Sequence, residues 1–411
     1  MKIFKSKHPL YIFISRFPPP YGGVSNQVKW LGEYLVENSK NKLSIVVIDL
    51  KTLTIHACEG NGWSSYQLYK LPFFYLSFIR ALPNFFVEIF KNIEFIFKTD
   101  GYIFWRISLI AFAKTVFKAF SNSNVKLIYS FHFGAPSLVG GQLASQWKLR
   151  HITAIFGEAY TNYKKLYSQK SFLLRNCDQF VSCSNHCGEM MRDFDKNINF
   201  DTLYYGTQLQ ELDNLRTKVI STDSSRKKTI MFLGRIDPEM GIRYFISVAK
   251  ILYEKSNKSY SFVVCGQNGS EIEFVNDNKH FFNGDLSVHI SVPFQTRNNL
   301  LASSDILIVP STNDRACFGL AIVEGLAAGC SIYARDIGGH REPLLNEDAF
   351  LFHKDTEPKQ LASKIINDES NKSLQDTKEL LRLRVLKKFE LQECLMRQKK
   401  YINRLLSQDN I

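Results

Sequence analysis

Residues 303–329 read SSDILIVPSTNDRACFGLAIVEGLAAG, and the spacing of apolar residues changes period within them. The run 306–309 is wholly apolar and bounded by Asp305 and Pro310, the pattern of a short strand buried on both faces. A polar loop follows. From about Ala321 the apolar residues recur with helical spacing as far as Gly329, a residue type that commonly closes a helix. A buried strand that delivers a loop and then a helix is half of a βαβ unit, which implies a parallel sheet with helices packed on it.

The same alternation runs outward from this stretch. Upstream, the apolar runs 229–233 and 261–265 are separated by a helical pattern over 244–253, and downstream 331–334 reads as a further strand. In the front half, 11–15, 43–50, 126–130 and 151–156 read as buried parallel strands with helical patterns between them. Between the halves, 207–228 is polar and carries few large apolar residues. The expected fold class is α/β, with two Rossmann-like doubly wound domains: 1–205, a linker over 206–228, a second domain over 229–388, and a terminal helix over 389–411. That helix ends a long charged pattern, 374–406, with Leu, Val, Phe and Tyr on one face.

Bulk properties agree. A chain of 411 residues exceeds what one core usually supports. Its 45% hydrophobic and 22% charged residues exclude a disordered or fibrous class. Eight cysteines scattered from Cys58 to Cys394 suit a reducing compartment, and the cytoplasm is expected. The first apolar run is cut short by Arg16 and three prolines, so it reads as a strand and not as a signal segment. Residues 1–205 hold 24 Lys+Arg against 13 Asp+Glu, a difference of +11, while 206–411 hold 28 against 26, a difference of +2. The front half is the anion-seeking half.

Residues 71–120 are rich in aromatics but have no uninterrupted spanning segment. On a helical projection of 103–120, Trp105, Leu109, Phe112, Val116 and Phe120 share one side and Arg106, Lys114 and Lys118 another. This stripe reads either as an ordinary core-facing helix or as a face that docks on an anionic membrane surface.

Three motifs sit where open α/β sheets bind ligands, at the carboxyl ends of strands. Pro18-Pro19-Pro20-Tyr21-Gly22-Gly23 follows the first strand and precedes a helix, a place where backbone N–H groups approach a phosphate, or simply a tight turn. Gly234-Arg235 ends the strand 229–233, and a guanidinium there suits a diphosphate. In the opening stretch Glu324 stands among Ile322, Val323, Leu326 and Ala327, where a carboxylate is costly to bury without a partner. The paired hydroxyls of a ribose are its expected partner, the alternative being an exposed helix edge.

Together GRIDPEMG, CGQNG, SSDILIVPS, FGLAIVEGLAAG and IGGHRE resemble the carboxyl-terminal half of glycosyltransferase family 4, retaining enzymes of GT-B fold. PPYGGVSNQV, SFHFGAPSLVG, CDQFVSCS and LYYGTQ resemble its front half, and the terminal KFELQECLMRQKKYINRLL its returning helix. The resemblance implies two Rossmann-like domains facing a central cleft, with a nucleoside-diphosphate-sugar as co-substrate and no other cofactor. It gives Arg235 the donor diphosphate and Glu324 the ribose. Gly234, Gly266, Phe318, Gly319 and Leu320 line the donor site, Gly22 and Gly23 shape the opposite side, and His132 stands beside the reacting sugar. The expected catalytic set is His132, Arg235 and Glu324.

The +11 front half and its aromatic stretch point to a lipid-linked or surface-polysaccharide acceptor, met at the inner face of the cell membrane. The chain departs from the family at Met240, where a lysine is usual, and at Ala316, where an acid is usual; Arg243, Arg315 and Asp314 are nearby substitutes. Phe156 stands where a histidine is common. These departures also fit a catalytically silent scaffold that binds nucleotide sugars in a polysaccharide assembly. Asp193-Phe194-Asp195 has the form of a metal-binding Asp-x-Asp but lies in a polar stretch and not directly after a strand, and the Cys177, Cys183, His186, Cys187 group fits no common metal-ligand spacing, so no metal is expected. No nucleic-acid-binding motif is present, and a GT-B phosphorylase is disfavoured because no pyridoxal-binding lysine context is apparent.

Overall fold

The computed structural model describes residues 8–18, 23–60, 62–70, 102–156, 174, 177–193, 195–219, 226–314 and 316–407. The chain divides into two compact units, one of residues 1–183, 187–203 and 395–411, the other of 184–186 and 204–394.

Among the described residues the first unit holds eight strands: β1 (Pro9–Ile14), β2 (Ser44–Asp49), β3 (Thr54–Cys58), β4 (Trp63–Gln67), β5 (Asn124–Phe131), β6 (His151–Ile155), β7 (Gln179–Ser182) and β8 (Phe200–Thr202). Their order is β4-β3-β2-β1-β5-β6-β7-β8, so the chain leaves β1 to one side for β2 and later returns to its other side for β5. β1 pairs in parallel with both neighbours, Ile14 lying opposite Ile48 and Ser130. β2, β3 and β4 form an antiparallel meander at one edge. That meander is absent from the sequence expectation because β4, WSSYQ, is an exposed edge strand without an apolar run. Helix α1 (Gly23–Glu37) follows β1, and a short helix α4 (Asn185–Arg192) follows β7 along the chain.

Helix α2 (Tyr102–Phe120) settles one of the two readings of the aromatic stripe. Phe112, Val116 and Phe120 are buried, and they pack with Val139 and Leu143 of α3 (Ala135–Trp147) and with Leu10 and Ile128 of the sheet. Over these positions the stripe is core. Residues 71–101, including the crowded phenylalanines at 85, 86, 90, 95 and 97, lie outside the described residues, as do the side chains of Trp105 and Arg106. Among the described residues no helix is long and apolar enough to cross a membrane.

In the second unit β9 (Lys228–Leu233), β10 (Tyr260–Gly266), β11 (Leu286–Ile290), β12 (Ile306–Val309), β13 (Ser331–Arg335) and β14 (Leu351–Phe352) form an all-parallel sheet in the order β11-β10-β9-β12-β13-β14. Apolar side chains line both faces, as strands covered by helices on both sides require. The covering helices are α5 (Leu209–Val219), α6 (Ile242–Lys255), α7 (Ile272–Asp277), α8 (Phe294–Ala302), α9 (Leu320–Ala327), α10 (Pro358–Asp368) and α11 (Lys372–Phe389). The chain is thus α/β with two Rossmann-like sheets, as expected.

Two local features differ from the expectation. Residues 209–219, read as part of a polar linker, are helix α5, whose Leu209 and Leu212 are fully buried; two leucines at helical spacing suffice to anchor an otherwise polar helix. The tail is also not one helix: Glu390 has φ −56° and ψ 138°, and α12 (Leu391–Ser407) starts anew. No proline or glycine marks the break. The extended residue instead pairs with Thr207, whose N–H donates to the Phe389 carbonyl at 3.3 Å and whose carbonyl accepts from Leu391 N–H at 3.0 Å. Residues 395–407 of α12 pack within the first unit, where Tyr401 Oη donates to Gln179 Oε1 at 3.4 Å and Ile402 and Leu405 are buried.

Candidate functional site

In each sheet a ligand site is expected where the strand order reverses, because two neighbouring strands there send their loops to opposite sides and leave a crevice. In the second unit this point lies between β9 and β12. The loops that leave these two strands are tied to each other. Thr312 N–H and Ser311 Oγ donate to the Glu239 carbonyl at 2.9 and 3.1 Å, and a Cβ at Gly241, whose φ is 77°, would meet the Pro310 carbonyl oxygen at 2.1 Å. Gly234 and Gly266 come together on the neighbouring strand ends: Gly234 N–H donates to the Cys265 carbonyl at 3.1 Å, and a Cβ on Gly266 would lie 1.7 Å from the Gly234 carbonyl oxygen. Gly266 is therefore required for close backbone approach at the edge where Arg235 emerges.

Arg235 has a side chain 48% exposed and is already engaged. Its Nη1 lies 3.3 Å from Asp237 Oδ2 and its Nη2 donates to Glu239 Oε1 at 2.5 Å. Asp237 is itself fixed by Ser270 N–H at 2.9 Å, and Glu239 by Asn313 Nδ2 at 3.3 Å. The guanidinium thus stands at the crevice as a cation counterbalanced by two carboxylates. Met240 contributes to the apolar cluster under α6, with its Cε 3.3 Å from where a Gly234 side chain would begin. Arg243, one expected stand-in for the missing lysine, donates from Nε to Glu271 Oε2 at 2.7 Å and lies 4.5 Å from the Phe274 ring centroid. Arg315 lies outside the described residues, and Asp314 is exposed.

Gly319 caps α9 with φ 82°, a conformation that favours glycine, and its carbonyl accepts from Ile322 N–H at 2.9 Å. Its neighbour Phe318 is buried against Tyr204 and Phe389, at centroid distances of 5.4 and 5.0 Å, so the side chain anchors the loop while the backbone at 318–320 opens α9. Below the loop His340 is buried, its Nδ1 donating to the Arg335 carbonyl at 2.9 Å. Burial lowers its pKa, so the ring stays neutral.

Glu324 is buried as expected, 6% exposed. Its partners, however, are within the chain. Oε1 accepts from Thr207 Oγ1 at 3.0 Å and from Arg297 Nη2 at 2.9 Å, and Oε2 accepts from Arg297 Nη1 at 3.0 Å. Beside the ribose hydroxyls expected for it, this carboxylate thus has a two-pronged guanidinium within the chain, which is how a buried carboxylate is best held. Arg297 is in turn steered by Asn298 Oδ1, at 3.2 Å from Nε and 2.9 Å from Nη2, and lies 4.5 Å from the centroid of the exposed Phe294 ring. Its field also reaches Cys265, whose thiol burial pushes up to about 11 while the guanidinium pulls it down. Sequence reasoning missed Arg297, although a signal was present. In FQTRNNLLA the arginine falls one turn from Phe294 and Leu301, on the side of α8 that carries Leu301 into the core.

In the first unit the corresponding reversal lies between β1 and β5. Gly23 is the first residue of α1, and Gly22 lies outside the described residues. His132 follows β5 with φ 124°, a rare conformation for a residue with a side chain, and its ring sits 4.8 Å from that of Phe156. Beneath it Ser130 Oγ donates to the Pro136 carbonyl at 2.9 Å and lies 2.8 Å from Nε2 of the buried His151. Asp195, one of the pair set aside as metal ligands, accepts from Asn197 N–H at 2.9 Å.

Residues 215–380 match the family model described as "Glycosyl transferases group 1", and this stretch holds the motifs from GRIDPEMG to IGGHRE. An uncharacterized glycosyltransferase of Methanocaldococcus jannaschii is 26% identical over 161 residues, covering 38% of this chain and 36% of that one. The 2-deoxystreptamine N-acetyl-D-glucosaminyltransferase of Niallia circulans is 30% identical over 122 residues, covering 29% and 30%. These two matches span about a third of each relative; a second M. jannaschii glycosyltransferase matches at 22% over 390 residues, 93% of this chain and 94% of that one. Among solved structures, sucrose-phosphate synthase from Thermosynechococcus elongatus superposes with a TM-score of 0.70 over 98% of this chain and all of its own, at 15% identity. Anabaena HepE in complex with UDP and glucose gives 0.63 over 96% and 100%, at 12% identity. The fold is GT-B.

Proposed function

We propose that the chain is a retaining, metal-independent glycosyltransferase of family 4 type that takes its sugar from a nucleoside-diphosphate donor. The observation that carries this reading is the pairing of Arg235 and Glu324 with the strand ends that flank the reversal of the second sheet, within the stretch that matches group 1 glycosyl transferases. Arg235 grips the donor diphosphate, exchanging Asp237 and Glu239 for phosphate oxygens, and stabilises the charge that develops as the diphosphate leaves. The α9 N-terminus at Gly319-Leu320 lends its unpaired N–H groups to the same oxygens, and Glu324 holds the ribose. His132, held in its rare backbone conformation, is assigned the reacting sugar by the family resemblance. The +11 charge of residues 1–205 supports a lipid-linked or surface-polysaccharide acceptor at an anionic membrane on the cytoplasmic side.

One observation favours a second reading, a silent nucleotide-sugar-binding scaffold: Met240 is built into the apolar cluster, so the usual second cation is replaced by core packing. Donor hydrolysis measured across a panel of nucleotide sugars separates the two. The enzyme reading expects turnover that falls roughly 10²–10³-fold in Arg235→Ala. Equal inertness of wild type and Arg235→Ala, with nucleotide binding retained, would establish the scaffold instead.

A further inference from the structure

We propose that Arg297 is the residue that sets how tightly the donor ribose is held, because it occupies the carboxylate face the ribose must use. The inference rests on the assignment of Glu324 to the ribose and goes beyond it. A carboxylate offers about four acceptor positions, two on each oxygen. Three of those on Glu324 are taken, both on Oε1 by Thr207 and Arg297 and one on Oε2 by Arg297. A vicinal diol that donates one hydrogen bond to each oxygen needs one position on Oε1, where none is open. Thr207 is 3% exposed and bound into the Phe389–Leu391 bridge, so it has nowhere to go. Arg297 has somewhere to go. Its side chain is 21% exposed, and its two contacts to Asn298 and its seat over the exposed Phe294 ring remain when it lets go of Oε1.

Ribose entry is therefore an exchange in which Nη2–H leaves Oε1 and a ribose hydroxyl replaces it, while Nη1–H stays on Oε2 and keeps the carboxylate paired. The exchange takes a share of the binding free energy that the diol would otherwise contribute. The cost falls only on ligands that carry the diol. A nucleotide without the two hydroxyls leaves the Arg297–Glu324 fork untouched.

The test is titration calorimetry of the full chain with UDP and ADP and with their 2′,3′-dideoxy counterparts, on wild type, Glu324→Gln, Arg297→Lys and Arg297→Gln. Lysine keeps the charge but loses the two-pronged grip. Arg297→Lys is expected to bind the ribonucleotides about three- to tenfold more tightly and the dideoxynucleotides unchanged, a change in the diol ratio that a merely structural role would not produce. Arg297→Gln should move the same ratio in the same direction, and it serves if the lysine variant does not fold. A diol ratio equal to wild type in both Arg297 variants, with the ratio lost in Glu324→Gln, overturns the role of Arg297. A ratio unaffected by Glu324→Gln overturns the ribose assignment itself, and the exchange with it.

Discussion

Breaking the Arg297–Glu324 pair from either side should destabilise the second unit, and removing both partners should cost far less than the two losses added together. Arg297→Met strands a carboxylate that is 6% exposed with Thr207 as its one remaining partner, and Glu324→Met strands a guanidinium whose side chain is 21% exposed. Loss of one member of a buried ion pair typically costs 3–5 kcal/mol. The partial exposure of Arg297 and the surviving Thr207 and Asn298 contacts place each single variant near the low end, about 3 kcal/mol. The double variant loses the same two charges together and leaves neither stranded, so its cost is the repacking alone, about 2 kcal/mol where additive behaviour would give about 6 kcal/mol. Scanning calorimetry is the suitable assay, because all four tryptophans of the chain, at 30, 63, 105 and 147, belong to the first unit and fluorescence would miss the second. Each single variant should lower the transition by roughly 6–12 °C. Additivity of the two singles to within about 0.5 kcal/mol would refute the reasoning, because it would mean that the two side chains do not depend on each other.

Gly266→Ala should cost about 3 kcal/mol and weaken nucleotide binding together with stability, since the new Cβ would lie 1.7 Å from the Gly234 carbonyl oxygen; a wild-type melting temperature would show that the two strand ends do not approach so closely. Glu379 is held below its ordinary pKa chiefly by hydrogen bonds from Arg382. A carboxylate depressed in the folded state stabilises above its unfolded pKa and loses that contribution as the pH falls through the folded value. Stability-versus-pH curves of wild type and Glu379→Gln should therefore separate above about pH 5 and converge in acid, and parallel curves would contradict this.

The parallel strands β1, β2, β5, β6, β9, β10, β12 and β13 were legible because each is a run of apolar residues cut off by charge, proline or glycine, as 306–309 is by Asp305 and Pro310; β7, β8, β11 and β14 were not read from such runs, and β8 and β14 are too short to form one. The burial of Glu324 was legible for the same reason, since Ile322, Val323, Leu326 and Ala327 leave its helix no polar face there. Periodicity reports which face of an element is covered, and it acts over a single turn or pleat. It is silent about what covers that face. The aromatic stripe of α2 would look the same against lipid as against Val139 and Leu143, and only the tertiary packing decides for the core.

The break at Glu390 has no local cause in the sequence, since it is made by Thr207, a residue far away along the chain. The partner of Glu324 was hidden in the same way: Arg297 stands 27 residues before it, on a different helix, and only the folding of α8 and α9 on the second sheet brings guanidinium to carboxylate. Patterns of burial are thus written locally in this chain. The pairing of its buried charges is a long-range property, because electrostatic partners are chosen by distance in space.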